Sequence, residues 1–344
     1  MILSLLFWVV ISIIATTILW KGSDWLEQSA EKLSEYYELP AIVQGAVVVA
    51  IGSSFPELST VVLSSLIHGE FELGVSAIVG SAIFNILIIP AFSGFAAQNP
   101  LESNRDLVYK EAQFYIISVA VLMITFSFAA IYFPIPTGDS VILGEMNRTL
   151  ALFPVILYGF YIFIQYQDTM DYERAWEVEE INPLKQWGWL FLSLLVILGG
   201  VELLVRAAIR FGEILGTPSF LWGISVVAAG TSIPDLFVSV RKARKGDAIT
   251  SMANMLGSNI FDLLVCIPMG ILIAGAATLN FSIAAPLMGA LTIATLVLFS
   301  FLRTDMILSR HESFWLIILY VLFLVWMGLE NFGVIDSIPS LPPS

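Results

Sequence analysis

The chain has 344 residues, of which 58% are hydrophobic and only 12% are charged, and its formal net charge is −13. Soluble domains carry about a quarter charged residues, so this composition excludes the soluble globular class and indicates a membrane protein. The single cysteine excludes an internal disulfide.

Ten apolar segments are long enough to cross a bilayer, which takes about 20 residues per helix. In chain order they are 1–19, 41–66, 72–97, 113–133, 149–165, 187–205, 218–240, 248–274, 281–301 and 312–330. The first lacks the cationic start and the cleavage site of a signal peptide, so it counts as a span. The first and sixth are expected to continue as helix through 20–38 and 206–216. The predicted fold is an all-α polytopic membrane protein with ten transmembrane helices.

The distribution of Lys and Arg predicts the orientation of these spans. If the N-terminus is outside, only Arg148, Arg206 and Arg210 of the 15 Lys and Arg residues are external, which leaves 15 − 3 = 12 inside. Cytoplasmic loops are enriched in Lys and Arg. Both termini are therefore predicted to be extracytoplasmic, in a multi-pass protein of the cell (inner or plasma) membrane.

The two halves of the sequence repeat each other. A shift of 178 residues places 22–62 on 200–240 with 14 identities in 41 positions, and a shift of 177 places "GSAIFN" at 80–85 on "GSNIFD" at 257–262. This divides the chain into a first five-helix repeat at 1–165, a short cytoplasmic loop at 166–186 and a second repeat at 187–344. Because each repeat has an odd number of spans, the second is predicted to insert with inverted topology, as in many secondary transporters.

Four short motifs place polar side chains inside apolar helices. "AIGSSFPEL" at 50–58 and "AAGTSIPDL" at 228–236 each put a carboxylate directly after a proline. Each motif contributes one hydroxyl and one carboxylate or amide at helical spacing, which puts both on one face: Ser54 with Glu57, Ser81 with Asn85, Ser232 with Asp235, and Ser258 with Asp262. Inverted repeats would bring the four faces together near the membrane midplane.

A cation from solution is the expected counter-charge for these carboxylates. A carboxylate at the bilayer centre costs ~2.5 kcal/mol or more, and no Lys or Arg lies near mid-span in the four helices. Pro56 and Pro234 cannot donate backbone hydrogen bonds, so they should free carbonyls near Ala50 and Ala228 as further ligands. Oxygen ligands without sulfur or imidazole favour Ca²⁺, Na⁺ or K⁺, with Mg²⁺ a weaker fit. Three carboxylates match either three Na⁺ or one Ca²⁺ with one negative charge left over.

The duplicated motifs resemble those of the cation/Ca²⁺ antiporter superfamily, specifically the sodium/calcium exchangers of prokaryotic type. "GTSIPDL" followed by "GSNIFD" is also similar to the potassium-dependent sodium/calcium exchangers. The resemblance implies a Na⁺-driven Ca²⁺ antiporter, not an enzyme, in which the first and sixth helices slide across the other eight. Its substrates would be Ca²⁺ and Na⁺, and K⁺ could be a further one. It would lie in the lipid bilayer and would have neither a resident cofactor nor a nucleic-acid partner. It also implies Glu57 and Asp235 as central Ca²⁺ ligands and the following additional ligands: Ser53, Ser54, Ser81, Asn85, Thr231, Ser232, Ser258 and Asp262, with the carbonyls of Ala50 and Ala228.

Some features depart from this pattern or leave alternatives open. Ala77 and Ala82 stand where the second half has Asn254 and Asn259, so one half lacks side-chain oxygens that could serve monovalent ions. The alternatives are K⁺-dependent or H⁺-coupled Ca²⁺ exchange and, from another class, a cation channel. An intramembrane hydrolase would need a Ser/His or paired catalytic Asp arrangement, or the zinc motif HExxH; no His lies in a predicted span, and the sequence has no zinc motif. Cys266 lies in an apolar run and is expected to serve packing.

Overall fold

The computed structural model describes residues 1–37, 50–97, 101–105, 107–137, 141–169, 181–335 and 337–338. Within these ranges the chain forms thirteen α-helices: α1 Ile2–Tyr36, α2 Ala50–Ser53, α3 Phe55–Leu66, α4 Phe71–Ala96, α5 Ala112–Tyr132, α6 Arg148–Thr169, α7 Pro183–Leu215, α8 Ser219–Trp222, α9 Ala228–Arg244, α10 Ala248–Phe261, α11 Ile267–Ala274, α12 Phe281–Arg303 and α13 Arg310–Asn331. Three π-helical turns adjoin them, at Leu107–Glu111, Gly223–Val227 and Asp262–Cys266.

Nine helical stretches in the described part of the chain are long and apolar enough to cross a membrane. They correspond to nine of the ten predicted spans. The remaining one, 41–66, is represented by α2 and the twelve-residue α3, while its first part, 41–49, lies outside the described residues. The prediction of an all-α polytopic membrane protein is confirmed, with short loop strands as the exception in the described part of the chain.

The two proline motifs differ in the helices that carry them. The first contains a break, since α2 ends at Ser53 and α3 begins at Phe55, with Pro56 in its first turn. The second contains no break, because α9 runs unbroken from Ala228 to Arg244, and the irregular backbone lies upstream at the π-helical turn Gly223–Val227. A proline ring can be accommodated in a membrane helix when its surroundings satisfy the freed carbonyl.

Helices α1 and α7 form a long pair of 35 and 33 residues. They approach closely at two glycines that correspond to each other in the repeat. A Cβ on Gly22 would lie 2.8 Å from Ile197 Cγ1, and a Cβ on Gly200 would lie 2.9 Å from Leu19 Cδ2. The predicted continuation of these helices beyond the first and sixth apolar segments is confirmed.

Helix α4 occupies the centre of the bundle. Nearly all its residues from Phe71 to Gly94 are buried, and it packs against α3, α9, α10, α12 and α13. Its apolar residues lie all around its surface, the pattern of a fully enclosed helix. The polar residues of α4 therefore lie in the interior of the protein, between helices from both halves of the chain.

In the described loops, five short strands connect segments between helices. Strands β2 Pro134–Ile135, β3 Leu143–Asn147 and β4 Ala276–Asn280 form an antiparallel sheet with Gly144 opposite Leu279, and β1 Leu101–Glu102 pairs with β5 Ile307–Leu308. The loops of the first sheet are all predicted to lie outside, and both loops of the second inside. The strand pairings therefore agree with the predicted alternation of loops between the two sides.

Candidate cation site

Two serine pairs join the two halves of the chain at the centre of the bundle. Ser54, between α2 and α3, lies with its Oγ 2.8 Å from Oγ of Ser258 on α10. Ser81 on α4 lies with its Oγ 2.7 Å from Oγ of Ser232 on α9. All four side chains are buried. The repeat matches Ser54 to Ser232 and Ser81 to Ser258, so it exchanges one pair for the other.

Glu57 lies next to the Ser81–Ser232 pair. It occupies the first turn of α3, where a helix favours negative charge, and its side chain is 2% exposed. Its Oε1 accepts a hydrogen bond from Ser81 Oγ at 3.5 Å. Its Oε2 is buried and has no hydrogen-bond partner among the described residues. This carboxylate therefore has one oxygen available for a ligand.

Asp262 lies next to the other pair. It begins the π-helical turn after α10, is fully buried and interacts with Ser54. Its Oδ1 accepts from Cys266 Sγ at 3.6 Å, whereas its Oδ2 has no partner in the part of the chain that the structure describes. Cys266 Sγ also lies 3.9 Å from the Ser54 carbonyl oxygen. Cys266 packs in the apolar core as expected, and its i,i+4 spacing from Asp262 also brings its thiol to that carboxylate.

Asn85 contributes a third unpaired oxygen. It is fully buried on α4, and its Nδ2 donates to Asn259 Oδ1 at 2.9 Å. Its Oδ1 lacks a partner within the described ranges. A buried acceptor left unpaired costs about 1–3 kcal/mol. Three such oxygens on three elements around the serine pairs are the arrangement expected of a hard-cation site, which would supply the missing interaction.

The other predicted ligands are less centrally placed. Asp235 on α9 is half-buried, and its electrostatic neighbours include Glu57 and Glu27 of α1. Ser53 is half-buried at the end of α2. The Ala228 carbonyl accepts from Thr231 Oγ1 at 3.2 Å.

The carbonyls that the prolines leave without a helical partner lie close to the predicted Ala50 and Ala228. Proline removes the bond to the carbonyl four residues before it, which belongs to Gly52 for Pro56 and to Gly230 for Pro234. Each lies two residues after the predicted Ala50 or Ala228. Ala50 begins α2.

The three carboxylates do not form one compact metal cluster. Among the described residues, no group of three or more His, Cys, Asp and Glu side chains could hold a single metal ion. Glu57 is the electrostatic neighbour of both Asp235 and Asp262. A bound ion would therefore use part of this carboxylate set and complete its shell with hydroxyl, amide and carbonyl oxygens.

Comparison with known proteins identifies the family. The family model described as "Sodium/calcium exchanger protein" matches residues 7–167 and 185–329. The sodium/calcium exchanger MaX1 of Methanosarcina acetivorans is 26% identical over 336 residues, covering 89% of this chain and 94% of that protein. Human sodium/potassium/calcium exchanger 4 is 37% identical over 142 residues, but these cover 41% of this chain and 20% of that protein.

Solved structures show the same fold. The sodium–calcium exchanger NCX_Mj, soaked with Na⁺ and Sr²⁺, matches with a TM-score of 0.62 and 23% sequence identity over 93% of this chain and 98% of that one. The match to the family model covers most of the chain. The protein therefore belongs to the sodium/calcium exchanger family, and it is a multi-pass membrane antiporter of Na⁺ and Ca²⁺, not an enzyme.

Proposed function

We propose that this antiporter carries Ca²⁺ and Na⁺ in turn through the single site between α3, α4, α9 and α10. The observation that carries the proposal is a set of three buried oxygens without a partner among the described residues: Glu57 Oε2, Asn85 Oδ1 and Asp262 Oδ2. Each belongs to a different element, and the buried hydroxyls of Ser54, Ser81, Ser232 and Ser258 could supply further oxygen ligands. A hard cation satisfies all three without requiring a buried Lys or Arg.

Ligand chemistry divides the site between the two ions. Ca²⁺ takes about 6–8 oxygens and accepts bidentate carboxylates, a role suited to Glu57 and Asp235. Na⁺ would use the serine hydroxyls together with Asn85 and Asp262. Ser53, Thr231 and the carbonyls of Ala50 and Ala228 stay candidate ligands at the margin of the site. Three carboxylates would be neutralised by three Na⁺, so the proposed exchange is three Na⁺ inward for one Ca²⁺ outward.

Alternating access would use the α1–α7 pair. The pair contacts the site-bearing elements, since α1 packs on α9 and α7 packs on α3. Its close crossing at Gly22 and Gly200 keeps the two helices together, so they could move as one unit against the rest of the bundle. Such a displacement would open the carboxylates first to one side of the membrane and then to the other.

The proposed orientation has both termini outside the cell and the protein in the cell membrane. The loop pairings of β1 with β5 and of β3 with β4 support the alternation of loops, and the excess of Lys and Arg supports its direction. In this orientation Na⁺ entry down its gradient drives Ca²⁺ out of the cell. The two halves would be inverted repeats, which the exchange of serine pairs by the repeat supports.

Transport by purified protein in liposomes tests the proposal. Vesicles loaded with Na⁺ are diluted into buffer free of Na⁺ and K⁺, and Ca²⁺ uptake is measured for the wild type, Glu57→Gln and the control Glu102→Gln, an exposed carboxylate on β1. We expect uptake that needs internal Na⁺, is lost in Glu57→Gln and is retained in the control. If uptake appears only after K⁺ or a proton gradient is supplied, exchange depends on K⁺ or on H⁺ and not on Na⁺ alone. Uptake without any gradient would indicate a channel.

A further inference from the structure

Asn259 links the cation site to a buried tyrosine on a helix outside it. We infer that Asn259 and Tyr115 are positioning residues that fix the amide of Asn85, so that its oxygen and not its NH₂ group faces the cation. The inference rests on the proposed function of the site. Asn259 and Tyr115 themselves would contact no transported ion, yet they would determine which group of the Asn85 amide faces it.

The contacts form a continuous chain. Asn85 Nδ2 donates to Asn259 Oδ1 at 2.9 Å, and Asn259 Nδ2 donates both to the Ala82 carbonyl at 3.3 Å and to the Tyr115 hydroxyl at 3.4 Å. Asn85, Asn259 and Tyr115 are all fully buried. Asn259 thus has three protein partners, and Asn85 is left with its Oδ1 unpaired among the described residues.

The Ala82 carbonyl determines the orientation of Asn259. A carbonyl can only accept a hydrogen bond, so the group of Asn259 that faces it must be the NH₂ donor. Rotating the Asn259 amide by half a turn would place two acceptors against each other, and it would also bring its NH₂ group against that of Asn85. Only one combination of the two amides satisfies the contacts. In that combination the Asn85 oxygen is the atom left for the ion.

Tyr115 takes the second hydrogen of the Asn259 NH₂ group. Its hydroxyl oxygen accepts from Asn259 Nδ2 at 3.4 Å, so this contact and the Ala82 carbonyl together use both N–H groups of the amide. Loss of the hydroxyl in Tyr115→Phe would leave one of these N–H groups without its partner and weaken the preference for this orientation.

This arrangement gives Asn259 a role other than ion ligation, in the half of the chain that carries it. The repeat matches Ala82 to Asn259, and the sequence alone indicated a missing oxygen ligand at Ala82. In the structure the Ala82 carbonyl accepts directly from Asn259, and α4 and α10 meet at this contact. One half supplies the ligand Asn85 and the other supplies the amide that orients it.

Loss of the fixed Asn85 orientation should weaken the binding of Na⁺ more than the binding of Ca²⁺. Coulomb attraction to the carboxylates scales with ion charge, so neutral oxygens make up a larger share of the binding of a monovalent ion. Without its partner, the Asn85 amide would present its NH₂ group for part of the time. We expect Tyr115→Phe to raise the K0.5 for Na⁺ about fivefold, the factor that corresponds to one net hydrogen bond of ~1 kcal/mol.

A double-mutant cycle with Asn85→Asp tests the inference. An aspartate has oxygen at both positions, so its orientation needs no selection. Na⁺ and Ca²⁺ K0.5 values and maximal rates are measured for Tyr115→Phe and Asn259→Ala, each alone and combined with Asn85→Asp. Tyr320→Phe, a buried tyrosine on α13, is the matched control. We expect both single changes to act mainly on the K0.5 for Na⁺, and their effects to disappear in the Asn85→Asp background.

Several outcomes would overturn the inference. The first is an unchanged K0.5 for Na⁺ in Tyr115→Phe and Asn259→Ala. The others are an equal rise in K0.5 for both ions, or a rise for Na⁺ that persists in the Asn85→Asp background. Either of these two would indicate a merely structural role. The rise in Tm on adding Na⁺ gives a second readout that does not need transport, because a ligand stabilises the state that binds it. One combination of results would separate the two proposals. If the wild type shows no exchange, the proposed function is refuted. If Na⁺ nevertheless raises the Tm of the wild type, and raises it less in Tyr115→Phe, the orienting role is retained.

Discussion

The contact between α4 and α9 determines whether the Ser81–Ser232 pair can form, and Gly80 determines that contact. A Cβ on Gly80 would lie 2.8 Å from both Ala228 Cβ and Ile224 Cα. Carbon atoms normally approach to about 3.5–4.0 Å, so Gly80→Ala requires a separation of roughly 1 Å between backbone elements. Overpacking of this kind costs about 1–3 kcal/mol. The same displacement would stretch the 2.7 Å contact between the two serine hydroxyls.

The repeat offers a matched control at Gly257. There the nearest atom to an added Cβ is Tyr161 Oη at 3.8 Å, an ordinary contact. We expect Gly80→Ala to lower the Tm in detergent and to reduce Na⁺-dependent Ca²⁺ uptake, with Gly257→Ala close to the wild type in Tm. Thermal melts of both variants, followed by uptake in liposomes, provide the comparison. Equal Tm values for the two variants would refute the view that close approach at Gly80 holds the site together.

Three further changes test separate parts of the structure. Gly200→Val should slow exchange by obstructing the α1–α7 crossing, where the nearest neighbour of an added Cβ lies at 2.9 Å. The adjacent Gly199→Val should not slow it, because an added Cβ there has nothing within 4 Å, and equal exchange rates for the two variants would contradict this. Cys266→Val removes a donor from buried Asp262 and should weaken ion binding in a K0.5 assay, whereas Cys266→Ser should retain it. Glu330→Gln should lower the Tm by an amount corresponding to ~1–3 kcal/mol with little change in K0.5, because this buried carboxylate accepts backbone N–H groups after α13; a changed K0.5 would contradict this.

The spans and the four motifs could be predicted because their signals are local. Hydrophobic length identifies a span wherever it packs, and an i,i+3 or i,i+4 spacing determines which side chains share a helix face. A duplicated motif then indicates which faces meet. These rules brought Ser54, Ser81, Ser232 and Ser258 to the centre of the bundle, where the structure places them.

The features that escaped prediction depend on contacts between distant elements. Whether Pro234 breaks its helix depends on the neighbours that accommodate its ring. The π-helical turn at Gly223–Val227 contains no proline that could have indicated it. The Asn259 amide finds its partners on α4 and α5, 177 and 144 residues away in sequence. Cys266 lies near Ser54 across 212 residues. Hydropathy and spacing carry no information about such pairs.

The site combines symmetric and asymmetric parts, and the asymmetry has a consequence for charge. The repeat exchanges the two serine pairs, and it matches the carboxylate Glu57 to the carboxylate Asp235. It matches Asn85, however, to Asp262, so one half contributes a neutral amide where the other contributes a negative charge. A fully symmetric site with a fourth carboxylate would hold two uncompensated charges when Ca²⁺ is bound, and charge inside a membrane is expensive. With Asn85 neutral, one Ca²⁺ leaves a single negative charge and three Na⁺ leave none. An amide at this position needs a fixed orientation to act as an oxygen ligand, and Asn259 with Tyr115 supplies the contacts that provide it.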